Sequence, residues 1–192
     1  MFEGEKFYSL QEVSEKAPVL VCGGLAKRYM VPGWRVGWVA LCDRNNRLAK
    51  GGVFAGLQRL SQTILGATSF VQAAIPFMLE KTPKEYYESS LATLQENAKA
   101  FVEAMSGTKG LHIVLPRAAM YCMVGIDLKL FPDFPSDVEF SQKLLDEQQV
   151  FVLPGSCFTM PSYFRVVLCA PKDKMTDAAN RIKAFCAAHI KE

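Results

Sequence analysis

A long helical stretch near Pro83 to Met105 is the feature that most constrains how this chain of 192 residues can fold. Pro83 is well placed in a first helical turn, where its missing N–H has no helical partner to lose. A helix of this length extends roughly 30 Å, which is enough to bridge two lobes. We therefore divide the chain near residue 83, into residues 1–83 and residues 84–192.

The first part contains too few elements to fold as a complete layer structure. The apolar run Val19–Cys22 ends at two glycines and predicts a buried strand, and the run Val36–Leu41 predicts a second one. Helical spacing follows near residues 53–64 and 69–79. Two strands with two helices make a poor independent core, because a sheet needs more strands to bury its faces. We expect this lobe to be incomplete.

The second part alternates short apolar runs with helical patterns, which is typical of a small α/β lobe. Half of all residues are hydrophobic, so the chain can bury a sizeable core. Strands are predicted at residues 112–115, 120–126, 150–153 and 164–168, and helices at 138–147 and 174–189.

Composition and charge exclude several classes of function. The net charge is +3 and the basic residues are scattered, so nucleic-acid binding is not expected. Lys27 and Arg28 interrupt the longest apolar run, so no membrane span is predicted. The six cysteines lie far apart with only His112 and His189 as imidazole partners, which predicts reduced core thiols and no metal site. The first residues show no signal or transit pattern, so we expect a cytoplasmic protein.

Lys27 lies in a predicted loop directly after a buried strand, a place where sheets present reactive groups. A lysine amine attacks a carbonyl carbon only when it is neutral, and the positive charge of Arg28 or Arg35 would favour that form. Arg35 follows a Pro-Gly turn, where its guanidinium could bind two oxygens of a phosphate. The alternative is that these cations are solvated loop residues.

Arg165 places a permanent charge inside the apolar run Phe164–Leu168. Such a charge needs a partner when it is buried. Three arrangements would satisfy it: a carboxylate of the protein, exposure at the edge of a sheet, or the carboxylate of a ligand. Lys27, Arg35 and Arg165 together would supply an amine for an aldehyde and two guanidinium forks for a phosphate and a carboxylate.

Several runs of sequence make a more specific comparison possible. They are Gly24 to Trp38 around the lysine, Ala119-Met120-Tyr121, Asp137-Val138-Glu139-Phe140, Leu153-Pro154-Gly155 with Phe158, and Phe164-Arg165-Val166. In order and spacing the chain resembles the tyrosine aminotransferases over essentially its whole length. The resemblance covers the C-terminal half of that family, whose members are about twice as long.

The resemblance implies an α/β fold, namely the C-terminal part of fold type I of the enzymes that depend on pyridoxal 5'-phosphate (PLP). Residues 1–83 would end the large domain, and residues 84–192 would form the bridging helix and the small domain. Lys27 would form the Schiff base with PLP and act as the base of the proton shift, Arg35 would bind the cofactor phosphate, and Arg165 would hold the substrate α-carboxylate.

The implied activity is transamination of an aromatic L-amino acid, of the tyrosine type, with 2-oxoglutarate by a ping-pong mechanism. The full-length protein would be a homodimer acting on amino acids and 2-oxo acids. The stretch Leu65 to Thr68 lacks the arginine that aspartate aminotransferases use for a second carboxylate, which disfavours a dicarboxylate-only enzyme. An alanine-type or broad-specificity aminotransferase and a non-catalytic remnant that acts as an interaction module remain alternatives. Because the pyridine-binding residues of the family lie in the half not represented here, we expect this chain to be inactive alone.

Overall fold

In the computed structural model, which describes residues 1–191, the chain forms two units. One unit is Lys6–Tyr87, and the other contains Met1–Glu5 together with the described residues from Glu88 onward. The boundary at Tyr87 lies four residues beyond the division at residue 83, and the first five residues belong to the later unit. The assignment of residues 1–83 and 84–192 to a large and a small domain stays a prediction.

The first unit is built around two antiparallel strands. Its elements are α1 (Leu10–Val13), β1 (Val19–Gly24), α2 (Leu25–Arg28), a 3-10 turn (Pro32–Trp34), β2 (Gly37–Cys42), α3 (Arg47–Lys50), α4 (Val53–Ser61) with a 3-10 turn (Gln62–Ile64), and α5 (Ser69–Lys81). The long helix α6 (Lys84–Met105) begins here, directly after Pro83. The predicted strands and helices of this part are confirmed.

The expectation that both strands are buried is wrong. Residues of β1 alternate between half-buried and exposed, and the first four residues of β2 are exposed. Leu20 and Val39 are 45% and 47% exposed. The described part of the chain gives this sheet two strands, so its faces lack the neighbouring elements that normally cover such apolar side chains.

The second unit is a four-stranded antiparallel sheet with helices, in the strand order β3-β4-β6-β5. Its elements after α6 are β3 (Leu111–Val114), β4 (Tyr121–Ile126), a 3-10 turn (Leu128–Leu130), α7 (Asp137–Gln148), β5 (Leu153–Pro154), a 3-10 turn (Gly155–Phe158), β6 (Tyr163–Val167) and α8 (Lys172–His189). No helix within residues 1–191 is both long and apolar enough to cross a membrane.

One predicted strand is largely wrong. Residues 150–152 do not join the sheet, and only Leu153 and Pro154 pair with β6. Gln149, with a φ of 54°, turns the chain out of α7. Val150 and Val152 then bury their side chains in the core without ladder hydrogen bonds. The apolar pattern of these residues indicates burial, but it does not distinguish a paired strand from an irregular extended segment.

Phenylalanine rings form the core that fixes the sheet of the second unit. The fully buried rings are Phe101, Phe131, Phe140, Phe164 and Phe185. Phe140 is central, because its ring centroid lies 5.2 Å from that of Phe185, 5.4 Å from Phe131 and 6.0 Å from Phe164. Burying each such ring stabilises the fold by about 1.5–3 kcal/mol. Strand β6 is therefore firmly placed, and it carries Arg165.

The six cysteines are not bonded to one another in the described part of the chain, and their reduced state stays a prediction. Their prediction as core residues holds only for Cys122 and Cys186, where burial raises the thiol pKa to about 11 and about 12. Cys22, Cys157 and Cys169 are exposed. Strand and helix patterns do not distinguish these positions, because cysteine suits either environment.

Candidate active site

Lys27 lies in α2, a single helical turn that follows β1 without a break, and not in the loop that the sequence predicted. The turn is tied to the sheet, because the N–H of Leu25 donates to the carbonyl of Val36 at 3.3 Å. Leu25 itself is fully buried. The Lys27 side chain is exposed and forms no hydrogen bond or ion pair with any of residues 1–191. Its amine is therefore free to react.

Aromatic packing fixes the end of α2. The N–H of Tyr29 donates to Leu25 O at 3.2 Å, and the buried Tyr29 ring meets the Tyr87 ring edge-on at 5.9 Å. A hydrogen bond with Tyr87 raises the pKa of Tyr29 and lowers that of Tyr87. The Arg28 guanidinium lies 4.6 Å above the Tyr87 ring, at cation–π distance. Residues on both sides of Lys27 are thus held in place.

The contact with Trp38 explains why the first of the two glycines before this turn, Gly23, lacks a side chain. Gly23 stands opposite Trp38 in the register of β1 and β2, and the indole covers it. A Cβ at Gly23 would lie 2.5 Å from the indole ring, so a larger residue would displace Trp38. The end of β1, which leads into the turn with Lys27, therefore depends on close contact between the Gly23 backbone and the Trp38 ring.

Arg35 presents most of its guanidinium outward. It follows the 3-10 turn Pro32–Trp34 with a left-handed φ of 52°, and its Nη1 donates back to Pro32 O at 3.0 Å. Its remaining N–H groups have no partner in the described part of the chain. One internal hydrogen bond orients the fork, and the free donors fit an anionic group such as a phosphate.

Arg165 is held between two aromatic rings. Its guanidinium carbon lies 4.2 Å from the ring centroid of Tyr121 and 4.2 Å from that of Phe158. Its Nε is buried and unpartnered, and no carboxylate among residues 1–191 pairs with it. Strand β6 runs between β4 and β5, so Arg165 does not lie on a sheet edge. Of the three arrangements considered for this charge, a ligand carboxylate is the one that the surroundings favour.

The sequence reasoning did not identify Tyr121 and Phe158 as partners of Arg165. In the register of β4 and β6, Met123 faces Arg165 and Tyr121 faces Val167. Because side chains alternate along a strand, Tyr121 and Arg165 share one face as diagonal neighbours. That alternation was a usable signal for Tyr121. Phe158 comes from the 3-10 turn after β5, and its placement depends on tertiary structure.

The sequence reasoning also missed a buried carboxylate that binds the turn carrying Phe158. Asp137, at the first turn of α7, is 1% exposed and accepts hydrogen bonds from Ser156 N at 2.7 Å, Ser156 Oγ at 2.7 Å and Ser162 N at 3.4 Å. Burial raises the pKa of Asp137, but these hydrogen bonds outweigh it and lower the pKa overall. Asp137 is therefore ionised and connects α7 with the turn that carries Phe158.

Comparison with known proteins gives this geometry a family. The sequence model described as "Aminotransferase class I and II" matches residues 1–182. The chain belongs to the class I and II aminotransferases. The tyrosine aminotransferase of Mus musculus is 43% identical over 98% of this chain, and that of Dictyostelium discoideum is 43% identical over all of it. These matches cover 41% and 46% of the two relatives, so the chain spans less than half of their length.

Solved structures confirm the predicted fold class, an α/β part of PLP-dependent fold type I. The tyrosine aminotransferase from Leishmania infantum superposes with a TM-score of 0.91 at 37% identity, over 99% of this chain and 46% of its own. An alanine aminotransferase from Pyrococcus furiosus gives 0.87 at 24% identity, over 98% of this chain and 47% of its own, which supports the fold alone. The family implies PLP as cofactor, and the roles of Lys27, Arg35 and Arg165 stay predictions.

Proposed function

We propose that this chain supplies three site residues of an enzyme that transaminates an aromatic L-amino acid, of the tyrosine type, with 2-oxoglutarate. The observation that carries the proposal is the Lys27 amine, which is exposed and unpaired on a turn fixed by buried Leu25 and Tyr29. Identity of 43% to the tyrosine aminotransferases of Mus musculus and Dictyostelium discoideum supports the tyrosine type.

Lys27 has two roles in this proposal. When bound, PLP supplies an aldehyde and a ring that withdraws electrons from the substrate Cα. Lys27 Nζ would hold the cofactor covalently, and an amine acts as a nucleophile in its neutral form. The same Nζ would serve as the general base that takes the proton from the substrate Cα. No ion pair within residues 1–191 competes for this amine.

The two arginines orient the reactants. Arg35 binds the phosphate through the guanidinium donors that its bond to Pro32 leaves free. Arg165 binds the substrate α-carboxylate through the edge of a guanidinium whose faces are covered by Tyr121 and Phe158. Orientation of this kind contributes to catalysis by presenting the reacting bond in one geometry.

The proposal extends to the longer protein. We propose that full-length relatives of this chain act as cytoplasmic homodimers with ping-pong kinetics, and that residues 1–192 bind PLP without turnover. A non-catalytic interaction module would keep the fold but would have no need for a reactive Lys27. Reductive trapping of the lysine with PLP separates these two functions.

The test is reductive trapping. The purified chain is mixed with PLP, reduced with borohydride and digested, and the modified lysines are located by mass spectrometry. Lys50 is a matched control, because it also lies in a one-turn helix and is exposed. We expect modification of Lys27 at PLP concentrations that leave Lys50 unmodified, and the Lys27→Arg variant should lose this labelling. Equal labelling of Lys27 and Lys50 would contradict the proposal.

Arg35 is tested by the same reaction. The Arg35→Gln variant removes the phosphate fork, so the PLP concentration needed for half-labelling of Lys27 should rise about tenfold, in line with the loss of charged hydrogen bonds of roughly 1.5 kcal/mol. Labelling by pyridoxal, which has no phosphate, should stay unchanged. If both aldehydes respond equally to the substitution, Arg35 does not bind the phosphate.

A further inference from the structure

The segment from Gly155 to Ser162 is a tight turn that one carboxylate holds at both ends. Asp137 accepts from the N–H and the hydroxyl of Ser156 near the start of the turn and from the N–H of Ser162 at its end. The two closest of these bonds are 2.7 Å long, as expected for bonds to a charged acceptor. Three donors thus converge on a group that is almost inaccessible to water.

The turn has little freedom to take another shape. Met160 N donates to Gly155 O at 3.0 Å, which closes the turn internally. A Cβ at Gly155 would lie 2.1 Å from Met160 O, so no other residue fits without movement. Thr159 and Ser162 both have left-handed φ values, of 55° and 64°. Such backbone states persist only where surrounding contacts over-determine them.

This turn delivers Phe158 to Arg165. Phe158 ends the 3-10 turn two residues after Ser156, and its ring covers one face of the guanidinium. Tyr121, fixed in β4, covers the other face. Only the face on the Tyr121 side is supported by a strand, so the aromatic pair around Arg165 closes only when the turn is in place.

We propose that Asp137 and Ser156 are positioning residues for Arg165: by clamping the turn, they hold Phe158 on the guanidinium and so fix the direction of its carboxylate-binding edge. The inference rests on the proposed role of Arg165 in binding the substrate carboxylate. Neither residue contacts that carboxylate. An arginine fixed in this way loses less side-chain entropy when it binds a ligand than a freely rotating one.

The experiment uses the full chain labelled with 15N and follows the Arg165 Nε–H resonance by NMR, assigned by its loss in the Arg165→Lys variant. The variants are Ser156→Ala, which removes one donor to Asp137, and Ser156→Thr, which keeps it. Ser162→Ala is the matched control, because Ser162 binds Asp137 through its backbone N–H. The ligand probe is 3-(4-hydroxyphenyl)propionate, and tyramine is the same ring without a carboxylate.

In the free protein, rings on both faces should shift the Arg165 Nε–H resonance away from those of exposed arginines. We expect Ser156→Ala to move it towards them and Ser156→Thr and Ser162→Ala to leave it in place. The Kd for the propionate should rise about two- to tenfold in Ser156→Ala, the range that corresponds to one hydrogen bond. The affinity for tyramine should not change.

Two results are distinguishable. If the wild-type Arg165 resonance does not respond to the propionate, the proposed role of Arg165 in binding a carboxylate is wrong. The positioning role of Asp137 and Ser156 is then tested by the chemical shifts of the ligand-free variants alone. If the wild type binds but Ser156→Ala keeps both the wild-type resonance and the wild-type Kd, the positioning role is wrong. Asp137→Asn provides a second disruption of the clamp, and an unchanged Arg165 signal in that folded variant would also overturn the inference.

Discussion

Asn97 makes the most informative stabilising contact between α6 and the segment that directly follows β6, the strand that carries Arg165. Its side chain is 3% exposed, and Nδ2 donates to Leu168 O at 2.9 Å and to Ala170 O at 2.8 Å. These two hydrogen bonds contribute about 1–3 kcal/mol in total, and Asn97→Ala also removes one donor from each of the two carbonyls. The higher helix propensity of alanine offsets roughly 0.5 kcal/mol. We therefore expect Asn97→Ala to lower the free energy of unfolding by about 2 kcal/mol.

Hydrogen exchange of the β4 and β6 amides over a urea series measures this loss within the second unit. Lys99→Ala is the control on the same helix, because Lys99 is exposed and its 3.9 Å ion pair with Glu103 contributes little. The control should remain within about 0.5 kcal/mol of the wild type. An Asn97→Ala variant as stable as the control would refute the view that these two bonds hold the end of β6.

Two further predictions concern the turn beside Arg165. Gly155→Ala should lower the free energy of unfolding by about 1–3 kcal/mol, because the added Cβ would overlap Met160 O. Gly33→Ala is the control and should be neutral, because no atom of residues 1–191 lies close to its added Cβ. Equal effects of the two substitutions in thermal unfolding would contradict this prediction. Asp137, whose pKa is lowered in the folded state, stabilises above its unfolded pKa of about 3.9, and this contribution is lost as pH falls through the lower folded value. Asp137→Asn should abolish that part of the acid dependence in urea unfolding between pH 6 and 2.5, and an unchanged pH profile would exclude it.

Much of the fold followed from periodicity. The helices α4 to α8 and strands β1 to β4 and β6 were predicted because their apolar spacing is regular over many residues. Strand 150–153 was mostly wrong, since apolar residues at Val150 and Val152 report burial and not pairing. The one-turn helices α1, α2 and α3 were missed, because four residues are too few to show a period.

The candidate site was predictable as a set of reactive groups but not as an arrangement. Arg165 stood out because a cation inside an apolar strand needs a partner, whereas Lys27 and Arg35 were singled out by the resemblance to the tyrosine aminotransferases. The contacts that hold these residues in place could not be predicted from the sequence. The Tyr29–Tyr87 and Arg165–Phe158 contacts join residues that only strand register and turn geometry bring together. Asp137 was named only as part of a run that matches the family, and an acidic residue at a helix start is favoured in any case. Only its three hydrogen bonds reveal that it organises the turn.

Residues 1–5 belong to the unit that otherwise begins at Glu88, with Phe2 buried in its core and Phe2 N donating to Arg117 O at 3.1 Å. During synthesis, this segment leaves the ribosome long before its partners do. All of Lys6–Tyr87 has been synthesised before Arg117, the partner of Phe2 more than a hundred residues later, is added to the chain. The unit that carries Arg165 therefore forms only after Arg117 has been synthesised, and Phe2 must remain available for packing until then.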